Sequence, residues 1–165
     1  MKEVIYNREK AVEYAIKWAF KRNPKFYDFE NSGGDCTNFI SQCTYAGAGI
    51  MNYTPVYGWY YNSSNDRSPS WSGVEFLFNF LTNNKSVGPY ASVVDISKLE
   101  IGDIIQLGDS NFKFFHSLFI TKIIGTPSVD TIYISTHTYD ANLRLLSTYY
   151  YSNARYLHIK GVRNY

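Results

Sequence analysis

The apolar pattern of this chain changes period once. Through about residue 81, apolar side chains recur every three or four positions, and after residue 100 they alternate or run in short blocks. The first period places side chains on one face of a helix, the second on the faces of strands. Helices first and an antiparallel sheet afterwards is the α+β class. A doubly wound fold does not fit, because helices and strands do not alternate. At 165 residues the chain is expected to be a single domain over residues 1–165, large enough to bury its own core.

Punctuation along the chain sets the elements. Asn7 is positioned to cap a helix over residues 8–22, with Ala11, Tyr14, Ala15, Trp18 and Ala19 on one face and Asn23-Pro24 as its stop. A second helix reads from Cys36 to Ala46, ended by Gly47-Ala48-Gly49. Residues 50–70 read as a long polar-aromatic surface loop or lid, and a third helix spans Ser70 to Leu81. Strands are predicted over residues 103–107, 112–124, 131–137 and 155–162, with Tyr149-Tyr150-Tyr151 a strand or a bend.

Composition removes several function classes. Residues 1–25 carry seven Lys/Arg against three Glu, and residues 141–165 carry four bases and no acid, so both ends are basic and the middle is acidic. No dense Lys/Arg run supports nucleic-acid binding. No apolar stretch reaches the ~18–20 residues of a membrane span. The N-terminus turns charged at once, so no signal peptide is read. Two cysteines do not make a disulfide scaffold. Sixteen Tyr, eleven Phe and three Trp suit either a packed core with wet polar tips or a groove that grips peptide.

The sharpest local feature is Gly33-Gly34-Asp35-Cys36-Thr37-Asn38-Phe39. It puts a cysteine just after two glycines and at a helix start. Free N–H groups and the positive dipole end favour thiolate there and can hold an oxyanion. A buried structural cysteine beside a glycine turn is the competing reading. Cys43 lies seven residues on, about 10.5 Å away in a helix, so it reads as core and cannot bridge Cys36.

A cysteine nucleophile needs a base, and only His116, His137 and His158 are present. His116 interrupts an apolar strand, where a half-buried packing role competes with catalysis. If Ile123 pairs with Asp130, register counting sets His116 opposite His137, and one can orient the other. Asp140 is the alternative orienting residue, or a turn residue. His158 alternates with Leu157 and Ile159 and reads as a solvated face. A mixed metal site of Cys36, His116, His137 and a carboxylate lacks any close-spaced ligand signature. No G-x-S-x-G is present for a serine nucleophile. No cofactor and no metal are expected.

Tyr6-Asn7-Arg8, Gly33 to Gln42, Trp59-Tyr60, Arg67 to Trp71, Gly102-Asp103, His116-Ser117 and His137 to Asp140 together resemble the bacterial putative amidase domain family. That family is related to the NlpC-type peptidases of the papain-like superfamily. The resemblance spans nearly the whole chain. It implies a papain-like (NlpC-like) α+β fold, with N-terminal helices packed on a C-terminal antiparallel sheet. It implies a cysteine amidase or peptidase with Cys36 as nucleophile, His116 as base and His137 or Asp140 as the third residue. Ala48 stands where a second adjacent glycine is expected.

The substrate-facing residues expected are Tyr27, Asp35, Trp59, Tyr60, Trp71 and Ser117. The implied substrates are amide bonds in peptides, above all those of bacterial peptidoglycan, and the implied setting is extracellular or in the cell envelope. Binding without turnover and acyl transfer on the same residues are the alternatives. The expected state is a monomer.

Overall fold

A computed structural model describes residues 1–165. Four α-helices and two single 3₁₀ turns accompany nine strands, all paired antiparallel. The strands are β1 (Lys2–Val4), β2 (Tyr61–Ser63), β3 (Asp66–Arg67), β4 (Gly88–Val94), β5 (Ile104–Gly108), β6 (Phe114–Ile123), β7 (Ile132–Thr136), β8 (Ala141–Leu145) and β9 (Asn153–Asn164). Seven of them form one sheet in the order β1-β9-β5-β6-β7-β8, with β4 also on β9, while β2 and β3 form a small hairpin. This is the α+β architecture that the change of period predicts. β1, β4, β8 and the hairpin were not legible in the pattern, being short or edge pieces.

The helices are α1 (Arg8–Trp18), α2 (Cys36–Ala48), α3 (Pro69–Ser72) and α4 (Val74–Asn83). Asn7 caps α1 through its side chain, which accepts from the Lys10 N–H at 3.0 Å. The helix ends at Trp18, four residues before its predicted end at residue 22, and the chain then turns to carry Arg22 toward a cluster of acids. The predicted third helix is two, broken at Gly73, whose backbone is extended. A Cβ there would lie 2.7 Å from the Phe76 ring and 3.0 Å from the Pro69 carbonyl. Gly49 closes α2 with φ +72°, the left-handed conformation that glycine adopts without strain.

The sheet has a core on each face. Phe39, Ile40 and Cys43 of α2, Ala11 and Ala15 of α1, and Leu77 and Leu81 of α4 pack with Ile104 and Phe119 on one face. Ile105, Leu107, Leu118, Ile120, Ile132 and Ile134 fill the other, beneath the 146–151 segment. Each strand's side chains alternate between these cores, and that alternation decides which candidate residues can meet.

Candidate active site

Cys36 opens α2, and the two glycines before it are required. Gly33 and Gly34 have φ of +100° and +101°, which L side chains rarely adopt. The Asp35 carboxylate does not cap α2. It turns back to accept from the Phe29 N–H (2.8 Å), the Asn38 amide (2.8 Å) and the His137 ring (2.5 Å). The first-turn N–H groups are thus left uncapped by this side chain, beside the Cys36 thiol.

Cys36 is 7% exposed and forms no disulfide. Burial pushes its pKa above the ordinary 9.0, opposed by hydrogen bonds from the Ser117 backbone and the Thr37 hydroxyl. The Ser117 backbone lies near enough to the sulfur to favour its thiolate. The backbone N–H of Ile120 points to β5, where it donates to the Asp103 carbonyl. By alternation, that of Ser117 points the other way, toward β7, which has ended at Thr136. The Ser117 N–H is thus left at the open end of the sheet, on the residue next to His116.

His116 and His137 do not meet. The predicted pairing of Ile123 with Asp130 is replaced by Ile123 with Ile132, and an irregularity at Thr121 brings Phe119 opposite Ser135. That register sets His137 opposite Ser117, one residue from the expected partner. A slip of one residue moves a side chain to the other face. Ser117 accordingly bonds Thr37 of α2 (3.0 Å) on the helix face. His116 pairs with Leu107 on the opposite face, beside Tyr149 at 6.2 Å between ring centroids.

The 1%-exposed His137 ring stacks on Phe39 at 4.0 Å. Its Nδ1 meets Asp35 and its Nε2 meets the Trp18 carbonyl (2.8 Å), one of the orphan acceptors at the end of α1. Asp140 forms a two-point pair with Arg22 (2.8 and 3.0 Å), which also approaches Asp28, Glu30 and Asp35. Neither His137 nor Asp140 bonds His116, and the metal set considered from sequence does not assemble. Asp28, Glu30 and Asp35 do cluster, with Arg22 as the cation among them.

His116 is the histidine without a hydrogen bond to the protein, since His158 donates or accepts at Asp103 (2.8 Å). His116 is 9% exposed, and burial, then the charge of Arg144, hold its pKa down to about 4. Phe115, the residue before it, is the extra residue of a bulge, since Leu107 pairs with His116 and Gly108 with Phe114. Bulges of this kind re-aim neighbouring side chains.

Several expected substrate contacts are structural. Trp59 and Trp71 are fully buried and donate to Ser41 (3.0 Å) and Asn38 (2.9 Å), so they belong to the core and not to a groove wall. Tyr60 is half-buried over Tyr53. The Tyr27 ring is half-exposed against Phe29, and its carbonyl accepts from Asn38 (2.9 Å). The Ser117 hydroxyl is committed to Thr37 and Gln106. Sequence reasoning missed Arg22, Arg144 and Tyr149; the lack of any acid after residue 140 was the one signal available for Arg144.

A family model described as "Putative amidase domain" matches residues 5–160. The chain belongs to that family. It is also 32% identical over 145 residues to the uncharacterized protein YhbB of Bacillus subtilis, covering 86% of this chain. The chain spans 44% of the length of that relative. No solved structure matches. Membership in this amidase family points to hydrolysis of amide bonds, and no helix is long and apolar enough to cross a membrane.

Proposed function

We propose that this amidase-family domain is a cysteine-dependent amidohydrolase, with Cys36 as nucleophile and His116 as general acid and base. The observation that carries the reading is Cys36 at the start of α2, its thiol near the backbone of Ser117, the residue after His116, whose imidazole has no hydrogen bond to the protein. At rest the thiol is protonated and the imidazole neutral, given the upward and downward shifts. The thiol gives its proton to His116 as sulfur bonds the amide carbon, while the uncapped N–H groups hold the carbonyl oxygen. His116 returns that proton to the amine as the C–N bond breaks. Water then bonds the thioester carbon as His116 takes its proton, the C–S bond breaks to release the acid, and His116 returns the proton to the Cys36 sulfur.

The proposed arrangement is papain-like, a nucleophile on a helix with its base on an antiparallel strand, without an orienting role for His137 or Asp140. The proposed substrates are amide bonds of peptidoglycan peptides in the cell envelope. Mass spectrometry of peptidoglycan treated with wild type and Cys36→Ala tests it. New peptide termini from wild type alone are expected; equal products from both proteins refute the cysteine reading. The protonated, mostly buried thiol favours one rival, a binding module, which retains peptide and releases no product.

A further inference from the structure

Arg144 makes no ion pair. Arg8, Arg22, Arg155 and Arg163 each have a carboxylate within 4.0 Å. Arg67 lacks one too, but stacks on Phe29 and donates to Ser72 and Ser64. The Arg144 guanidinium carbon lies 3.8 Å from the centre of the Tyr149 ring. Its Nε and Nη2 donate to the Thr148 hydroxyl (2.8 Å) and carbonyl (2.9 Å). Those bonds and the ring contact hold the guanidinium, and Nη1 makes no well-formed hydrogen bond. A fixed, unpaired guanidinium is arranged for a planar anion.

Its place gives the anion a meaning. On β8, Arg144 pairs with Ile134, which pairs with Ile120 of β6, so all three share the face turned from the helices. His116 occupies the same face. The Tyr149 ring lies between, 6.2 Å from the His116 ring and beneath the Arg144 guanidinium. The Tyr149 hydroxyl is sealed from water and makes no well-formed hydrogen bond, with only the Arg144 guanidinium close enough to donate to it. Buried hydroxyls are ordinarily satisfied, and an acceptor brought by a ligand would satisfy this one. No acidic residue occurs from 141 to 165 to repel an anion there.

We propose that Arg144 and Tyr149 form a carboxylate-binding subsite beside His116, so that the amides this domain cleaves carry a carboxylate close to the scissile bond. The substrate part of this inference rests on the cysteine amidohydrolase reading; the binding part does not. A charge-assisted pair of this kind favours a carboxylate over its carboxamide by about ten- to hundredfold.

Binding is read from the His116 ring signals in NMR titrations with N-acetyl-alanine, N-acetyl-alaninamide and inorganic phosphate. Wild type should respond saturably to the carboxylate, at least about tenfold more tightly than to the other two. Arg144→Gln should abolish that selectivity, and Arg144→Lys should keep part of it. If Arg144→Gln does not fold, Arg144→Lys carries the test, since it keeps the charge and loses the fork. Equal binding of the carboxamide or of phosphate, or unaltered selectivity in both variants, overturns the subsite. Turnover is then compared on peptide amides that differ only as Glu or Gln beside the cleaved bond. Carboxylate-selective binding without any turnover sinks the amidase reading and leaves the subsite standing; turnover indifferent to Glu or Gln sinks the subsite alone.

Discussion

Replacing His137 by alanine separates the sequence expectation from the structure. An orienting residue of the active site would cost rate and little stability. The structure instead makes His137 a buried clamp joining the end of α1, the loop before Cys36 and the β7–β8 turn. Both ring nitrogens are bonded, Nδ1 to the Asp35 carboxylate and Nε2 to the Trp18 carbonyl. His137→Ala leaves the fully buried Asp35 carboxylate and the Trp18 carbonyl short of a donor and removes the ring stacked on Phe39.

Breaking one side of a buried pair costs about 3–5 kcal/mol. Asp35 keeps its bonds from Phe29 and Asn38 and the Arg22 charge at 3.6 Å, which places the loss near the lower end, about 3 kcal/mol. For a chain of this size that lowers Tm by about 6–12 °C. Urea unfolding and thermal melts of wild type, His137→Ala, Asp35→Ala and the double variant measure it. The double variant should lose less than the two singles together, because no orphan charge remains. A His137→Ala protein within 1 kcal/mol of wild type but slow in turnover would refute the clamp and restore the orienting role.

Three further outcomes follow from the geometry. Iodoacetamide should modify Cys36 slowly near pH 7 and faster as pH rises toward its raised pKa, with Cys43 untouched until unfolding; peptide mapping that finds Cys43 labelled first overturns this. Folded His116 takes its proton near about 4 instead of 6.5, so across that window the unfolded chain binds a proton the native state refuses. Stability should therefore fall as pH drops from about 6.5 to about 4, by up to about 3 kcal/mol, and His116→Gln should flatten that part of the profile in denaturant titrations. A Cβ at Gly47 would lie 2.5 Å from the Tyr6 ring and 2.8 Å from the Asn7 carbonyl. Gly47→Ala should then cost about 1–3 kcal/mol by calorimetry, and a change below 0.5 kcal/mol would contradict that packing.

The register of one hairpin shows why part of the site was not legible. His116 and His137 were both recognisable as unusual polar residues in apolar strands. Which face each occupies depends on a turn of uncertain length and on an irregularity at Thr121, and neither leaves a mark in the apolar pattern. The tryptophans present the same problem in another form. Trp59 and Trp71 stand in a polar-aromatic stretch that suits a groove wall, yet Ser41 and Asn38 of α2 accept their N–H groups inside the core.

By itself the sequence determined that helices α1, α2 and α4 precede strands β5, β6, β7 and β9, and it determined the cap at Asn7, the glycine pair and the cysteine at the head of α2. These follow from local rules of period, capping and backbone freedom that act within a few residues. Only the tertiary structure decided that His137 holds Asp35, that His116 shares a face with Arg144 and Tyr149, and that Cys36 comes up beside the Ser117 backbone of β6. Those contacts join segments tens of residues to about a hundred residues apart. They depend on strand register and on which charges are satisfied by which partners, and both are settled only when all the layers pack at once.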